Sequence, residues 1–250
     1  MLLQKLKSTV KANPTLHQWS LAVRRRIFPT ETERFAEYLL RLTKLVSHPV
    51  FVKVGANDGI TGDPCGDIFL KNVKWSGLLI EPVPYLFEKL QLIYDDHDRF
   101  AFEQVAIGSV SGIKTFFYVS KNAKEALPNL PSWYDQIGSF DRSHIIKHLN
   151  GILEPFIVET KVNVRHLNEV LVKNNVSRID ILHVDTEGYD LEILKTFEFS
   201  ALTPLAIFIE HEHLSNHDKI KMLTILKSNG YVVRDCGTDF FAMNPGRCVV

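Results

Sequence analysis

The sequence predicts an α/β fold, with a mostly parallel sheet, helices on both faces and an antiparallel last strand. Three observations lead there. From residue 50 onward, short apolar runs rich in Val, Ile and Phe alternate with amphipathic stretches, which is the pattern of βαβ units. The runs are apolar through most of their length, as expected for strands covered on both faces. Near its end the chain carries "YVVRD" and "DFFAM" separated by Cys236-Gly237-Thr238, a hairpin that reverses the last strand.

Residues 1–46 read as a polar helical arm with breaks at Asn13-Pro14 and Pro29-Thr30, where Thr30 can cap a helix through "ETERFAEYLLRLTKLV". Every charge before Glu31 is basic (Lys5, Lys7, Lys11, Arg24, Arg25 and Arg26), and a solvated arm is the expected reading of such a run. The sheet domain spans 47–250. Its strands are expected at 50–55, 77–81, 101–106, 179–185 and 205–211. Helices are expected at 66–72, 84–94, 188–198 and 216–229, the last one stopped by Asn229-Gly230. Residues 107–165 break the alternation with a ribbon at "IKTFFYVS", a segment holding Pro128, Pro131, Trp133 and Tyr134, a helix near 141–150 and an extended "PFIVETKVNV". Within them, about 121–156 form an insertion expected to cover the site, since long insertions in compact α/β domains are commonly functional.

The 250 residues hold 29 basic and 29 acidic side chains, so no overall field favours nucleic acid as a partner. The cysteines Cys65, Cys236 and Cys248 are few, scattered and without C-x-x-C spacing, which points to a reducing compartment. No apolar run reaches the ~20 residues that span a bilayer. The expectation is a soluble, cytoplasmic protein; composition is silent on oligomeric state.

Ligands of open α/β sheets sit beyond the carboxyl ends of the strands. There "PVFVKVGANDGITGDPCG" (49–66) opens into Gly55, Asn57, Asp58 and Gly59. The spacing matches neither a dinucleotide fingerprint nor a P-loop, and Asp58 stands where a carboxylate would repel a pyrophosphate. Glu81 ends the apolar run "LLIEP" 22 residues after Gly59, where an acid accepts hydrogen bonds from ribose hydroxyls. A ribose acid beside a loop averse to phosphate points to S-adenosylmethionine. A nicotinamide-dependent oxidoreductase and a non-catalytic binding module of the same fold are the alternatives. Further on, "HVDTEGYD" sets Asp185 at the end of a buried run, with Glu187 and Asp190 entering a helix, and "IEHEHL" places Glu210, His211, Glu212 and His213 at another strand end. Asp190 reads as a helix-entry acid. His144 and His148, four residues apart, read as partly exposed helix residues, because no carboxylate or Cys of suitable spacing joins them. No metal ligand is assigned.

Taken together, "VGANDG", "IEP", "VAIG" (105–108), "VETKVNVRHLNEVL" (158–171), "DILHVDTEGYDLEIL" (180–194) and "IEHEH" make residues 50–243 resemble the FkbM family of S-adenosylmethionine-dependent methyltransferases. The resemblance implies a class I methyltransferase sheet of seven strands with the last antiparallel. It also implies O-methylation of a hydroxyl on a sugar, glycan or secondary metabolite. On this chain it implies Gly55, Asn57 and Gly59 at the methionine end of the cofactor, Glu81 at the ribose, Val105 and Ala106 at the adenine edge, and Asp185 and Glu187 facing the methyl group. The family often has Asp where Asn168 stands, so no acid role is expected there.

Methyl transfer needs alignment of donor and acceptor and removal of the acceptor's proton. Asp185 or His211 is the expected base, with Glu187 orienting the hydroxyl. A metal-assisted route through Mg²⁺ on Asp185 and Glu210 or His211 is the less favoured alternative. Trp133, Tyr134, Ser139 and Asp141 of the insertion are expected to contact the acceptor, the aromatic faces suiting a sugar's C–H surface.

Overall fold

The computed structural model describes residues 31–63 and 65–247. The basic stretch, Thr30 and Cys248 lie outside the described residues.

The chain enters through α1 (Glu31–Leu45) and runs into β1 (Val50–Val54), α2 (Gly66–Lys71), β2 (Ser76–Ile80), α3 (Pro84–Ile93) and β3 (Phe100–Glu103). There follow β4 (Ala106–Ile107), β5 (Gly112–Val119), the short helices α4 (Ala123–Ala126) and α5 (Arg142–Lys147), and the long β6 (Ile157–Arg165). The remainder is α6 (Leu167–Lys173), β7 (Ile181–Val184), α7 (Asp190–Thr196), β8 (Ala206–Glu210), α8 (Asn216–Ser228) and the hairpin β9 (Val232–Asp235) and β10 (Asp239–Met243).

The main sheet has seven strands in the order β3-β2-β1-β7-β8-β10-β9. β1 pairs in parallel with both β2 and β7, while β10 runs antiparallel to both β8 and β9. This is the class I methyltransferase sheet. The antiparallel strand is the last in sequence but lies inside the edge, because β10 slots between β8 and β9. The strand order reverses at β1, so the chain ends of β1 and β7 open side by side, with Val54 in register with Val184. That reversal makes the crevice in which such sheets bind ligands.

The expected strand 101–106 is divided between two sheets. Phe100–Glu103 stays in the main one, whereas Ala106–Ile107 pairs with Val164–Arg165 in a separate three-stranded sheet, β4-β6-β5. A continuous apolar run does not reveal that its partner changes midway. The crossing carries Val105 and Ala106 over the end of β2.

Apolar residues from both sheet faces form two cores. Val52, Val54, Leu78, Ile80, Leu182, Val184, Ile207 and Ile209 face one, against α6, α7 and α8; Phe51, Leu79, Ile181 and Phe208 face the other. Helix α1 closes the second core: Phe35 and Leu39 are fully buried, and the Phe35 ring stacks on Phe208 at 4.3 Å. Residues 31–45 of the expected arm are thus docked on the sheet. The insertion has its own small core, in which Val119, Ala123, Leu130, Tyr134, Ile137, Ile145 and Leu153 pack together. Among the described residues, no helix is long and apolar enough to cross a membrane.

One charged pair lies inside the second core. Lys53, in the middle of β1, donates to Asp63, and the two side chains are only 4% and 3% exposed. Burial alone would pull the Lys53 ammonium down, but the Asp63 carboxylate outweighs it and leaves its pKa raised. Burial likewise opposes ionisation of Asp63, yet the charge of Lys53 and a hydrogen bond from the Cys65 N–H hold its pKa low.

Candidate active site

A cleft with an empty volume of ≈ 550 Å³, counted out to solvent, opens at the reversal point and is walled by the ends of β1, β2 and β7, by β4 and by the insertion. On the β1 side the close approach depends on Gly55. Its φ is +77°, and a Cβ there would stand 1.8 Å from the Asp185 carbonyl oxygen, so a side chain would push β1 and β7 apart. The next turn passes through Asn57, whose φ of 51° puts its N–H toward Glu81.

Glu81 is 2% exposed, and its two oxygens each accept a backbone N–H at 2.8 Å, Oε2 from Asn57 and Oε1 from Val83. Burial raises its carboxyl to about 7, with the two N–H donors and Lys53 acting against the rise. A carboxyl raised above its unfolded value stabilises the fold fully below the unfolded pKa, and that contribution is lost as pH rises through the folded one. Between pH 5 and pH 8 the stability of the cofactor-free wild type, measured by urea unfolding, is therefore expected to fall by about 2.5 kcal/mol relative to Glu81→Gln. A difference that stays constant over this range would place the Glu81 pKa at its ordinary value.

At the end of β7 stand Asp185, Thr186 and Glu187. Glu187 has a φ of 56° and is held in that turn by Asp190, whose oxygens accept the Thr186 and Gly188 N–H groups at 2.9 and 3.1 Å. Asp190 thus closes the loop that aims Glu187, in keeping with its helix-entry reading. Glu187 Oε2 lies 3.1 Å from both His144 Nε2 and His213 Nε2. Burial would raise its carboxyl, but the two imidazoles outweigh that and lower it to about 2. Asp185 is half-buried at the cleft wall, and desolvation together with the Glu187 charge pushes it well up. Glu210, at the end of β8, is pushed up to about 11 by burial and by Asp185. Oxygens of Asp185, Glu187 and Glu210 all lie within 4.8 Å of one another.

A model of the methyltransferase FkbM domain matches residues 53–233. The chain belongs to the FkbM methyltransferase family. Among solved structures, methyltransferase FkbM from Methylobacillus flagellatus KT aligns at 17% identity and a TM-score of 0.48, over 79% of this chain and 43% of that one. The ribosomal protein L11 methylase from Lactobacillus delbrueckii subsp. bulgaricus aligns at 8% identity and 0.40, over 85% and 77% of the two chains. Aeropyrum pernix fibrillarin, solved with natively bound S-adenosyl-L-methionine, aligns at 10% identity and 0.36, over 79% and 65%. This chain spans less than half the length of the M. flagellatus protein. Comparison with curated proteins gives no match.

FkbM methyltransferases use S-adenosylmethionine, and the cleft has the features that this cofactor needs. A buried carboxylate with both oxygens pre-oriented sits at the end of β2, an apolar floor of Val105, Ala106 and Ile107 adjoins it, and the Gly55 backbone lies open to the same space. Of the residues expected at the cofactor, Gly55, Asn57, Glu81, Val105 and Ala106 line the cleft. Gly59 does not. It packs under α3, where its carbonyl accepts the Tyr94 hydroxyl at 3.0 Å and a Cβ would meet the Tyr94 ring at 2.4 Å. The Asp58 carboxylate also turns inward, bonded to Ile60 and Thr61 and paired with Lys89 at 2.6 Å. Its charge is met by the loop's own N–H groups and by Lys89 of α3, so the absence of a phosphate motif rests on the glycine spacing alone.

On the other side, Asp185, Glu187 and Ser139 reach the cleft, but His211 does not. Its ring is 2% exposed, lies 4.0 Å from the Phe240 ring and points Nε2 toward Asp235 at 3.3 Å. β8 ends at Glu210, and alternation along the strand sends the next side chain to the opposite face. The chain then turns, with the Leu214 N–H bonded to the His211 carbonyl, and brings His213 back to Glu187. Among the expected acceptor contacts, Tyr134 is buried in the insertion core with its hydroxyl on the Lys121 carbonyl at 3.2 Å. Asp141 caps α5 through the Ser143 N–H at 2.9 Å. Trp133 lies outside the cleft, 39% exposed, with its ring edge on to His148 at 6.1 Å. Gln136, Phe140 and Tyr189 line the cleft without having been expected there. Only the aromatic-rich "YDQIGSFD" hinted at the first two.

Proposed function

We propose that the protein transfers the methyl group of S-adenosylmethionine to a hydroxyl of a sugar, glycan or secondary metabolite. The observation that carries this reading is the pair of acids across one cleft, Glu81 buried and Asp185 half-buried. Glu81 at the end of β2 suits the ribose, and Asp185 at the end of β7 suits the acceptor. The bound cofactor supplies an electrophilic methyl on a sulfonium, so the chain's own tasks are to align the acceptor and to take its proton. Asp185 is the proposed base, the positive sulfonium of the bound cofactor offsetting the burial and the Glu187 charge that raise its pKa in the empty cleft. Because both histidines bond Glu187 through Oε2, its other oxygen is the atom proposed to orient the acceptor hydroxyl. Ser139, Phe140 and Tyr189, beside these acids, are proposed to receive the acceptor itself.

The test is release of S-adenosylhomocysteine with a panel of hydroxylated acceptors, together with calorimetry of cofactor binding. Glu81→Ala is expected to weaken cofactor binding by about 1.5–3 kcal/mol, the worth of lost hydrogen bonds to a charged group; since it also strands the Asn57 and Val83 N–H groups that Glu81 accepts, the cofactor-free variant is expected to melt lower, and binding is compared well below its melting temperature. Saturable binding of a nicotinamide dinucleotide with no heat from S-adenosylmethionine would replace this reading with the oxidoreductase one. Cofactor binding without turnover on any acceptor, and without a Glu81 effect, would leave a binding module.

A further inference from the structure

Three imidazoles and a carboxylate meet at the acceptor side of the cleft. They come from three parts of the chain: His144 in α5 and His148 just after it, Glu187 after β7, and His213 after β8. One ligand atom from each lies within 4.8 Å of the others. His144 Nε2 is 3.3 Å from His148 Nε2 and 3.1 Å from Glu187 Oε2, and His213 Nε2 is 3.1 Å from the same oxygen. A tetrahedral ion bound at about 2.0–2.1 Å would set its ligands about 3.3–3.4 Å apart, close to the spacing found.

Hydrogen bonding alone serves this arrangement poorly. His144 Nε2 faces a carboxylate oxygen, which only accepts, and a second ring nitrogen as well, while a neutral imidazole nitrogen either donates one proton or accepts one. Three ring nitrogens whose lone pairs converge beside a carboxylate instead suit one cation. An N₃O set of this kind favours zinc and related first-row transition ions over Mg²⁺ or Ca²⁺, which take oxygen ligands.

We infer that His144, His148, His213 and Glu187 form a zinc-type metal site that fastens the insertion to the strand ends beside the cleft. The site differs from an oxygen-rich Mg²⁺ set on Asp185 and Glu210. Four protein ligands complete a tetrahedron, so the ion's work is structural: it joins residues 144–148 to the loops after β7 and β8 and so fixes the wall against which an acceptor would lie.

The full-length chain, stripped with a chelator and dialysed, is titrated with Zn²⁺ in competition with a chromophoric chelator, and separately with Co²⁺ while visible absorption is recorded. The expected result is one Zn²⁺ per chain, weakened by ~10²-fold in both His148→Ala and His213→Ala and unchanged in Asp185→Asn. Co²⁺ is expected to give the intense visible bands of a tetrahedral site. Circular dichroism on the histidine variants separates loss of ligand from loss of fold, and the wild-type Co²⁺ spectrum stands whatever those variants do. Zn²⁺ affinity indifferent to both histidines, loss of binding in Asp185→Asn, or only weak octahedral Co²⁺ bands would each overturn the inference. All of these measurements are made without cofactor or acceptor, so they judge the metal site whether or not methyl transfer is observed.

Discussion

Asp185→Asn is expected to lower turnover by about 10²–10⁴-fold, the usual cost of removing a general base, while cofactor affinity changes little. Asparagine keeps the shape of the side chain but cannot take a proton. Asp185 also touches Gly55 through its backbone rather than its carboxylate, since it is the carbonyl oxygen that a Cβ on Gly55 would meet. The substitution therefore leaves the meeting of β1 and β7 in place. It also removes one of the crowded acids at this edge, where Glu187 raises the pKa of Asp185 and Asp185 raises that of Glu210, so stability is expected to hold or rise. The measurement is kcat and KM for acceptor and for cofactor, together with urea unfolding. Wild-type kcat in Asp185→Asn would remove this residue from the chemistry. His211, turned into the β8–β10 packing, would not be its substitute; the candidates would be Glu187 and Glu210.

Lys53→Met is expected to destabilise the fold by about 3–5 kcal/mol, because it leaves the Asp63 carboxylate buried without its cation. Asp63 is 3% exposed at its side chain and sits among Cys65, Tyr94 and His183, whose ring is itself kept neutral, its pKa pulled down to about 3 by burial and by Lys53. The double variant Lys53→Met, Asp63→Asn is expected to recover most of the loss, since a neutral amide oxygen can still accept the Cys65 N–H that Asp63 accepts at 2.8 Å. Urea unfolding of the wild type, both single variants and the double variant measures the coupling. A loss under about 1 kcal/mol in Lys53→Met would mean that water reaches the pair. Because the pair ties the middle of β1 to the loop that follows Gly59, the destabilised variant is also expected to bind the cofactor less tightly at temperatures near its melting point.

Much of this architecture was legible locally. Periodicity located most of the main sheet's strands and helices, though not α6, the terminal hairpin declared the antiparallel strand, and the residues closing apolar runs, Gly55, Glu81 and Asp185, marked the cleft. A strand carries its neighbours' directions in its own alternation, so a residue at the end of a buried run can be placed before the fold is known. That logic stops where the strand stops. His211, one residue past Glu210, still follows the alternation into the sheet packing, but the chain then turns, and the geometry of that turn brings His213 to Glu187. The same limit concealed the company of His144 and His148, whose carboxylate partner lies 43 residues away along the chain, and the sheet change after Glu103, which places Val105 and Ala106 on the cleft floor. By itself the sequence determined the order of strands and helices and the acids that end them, because those follow from contacts between near neighbours and from burial. Which of the remaining side chains meet at the site was decided only by the tertiary structure, because turns, strand pairing and the packing of the insertion set their directions across distant parts of the chain.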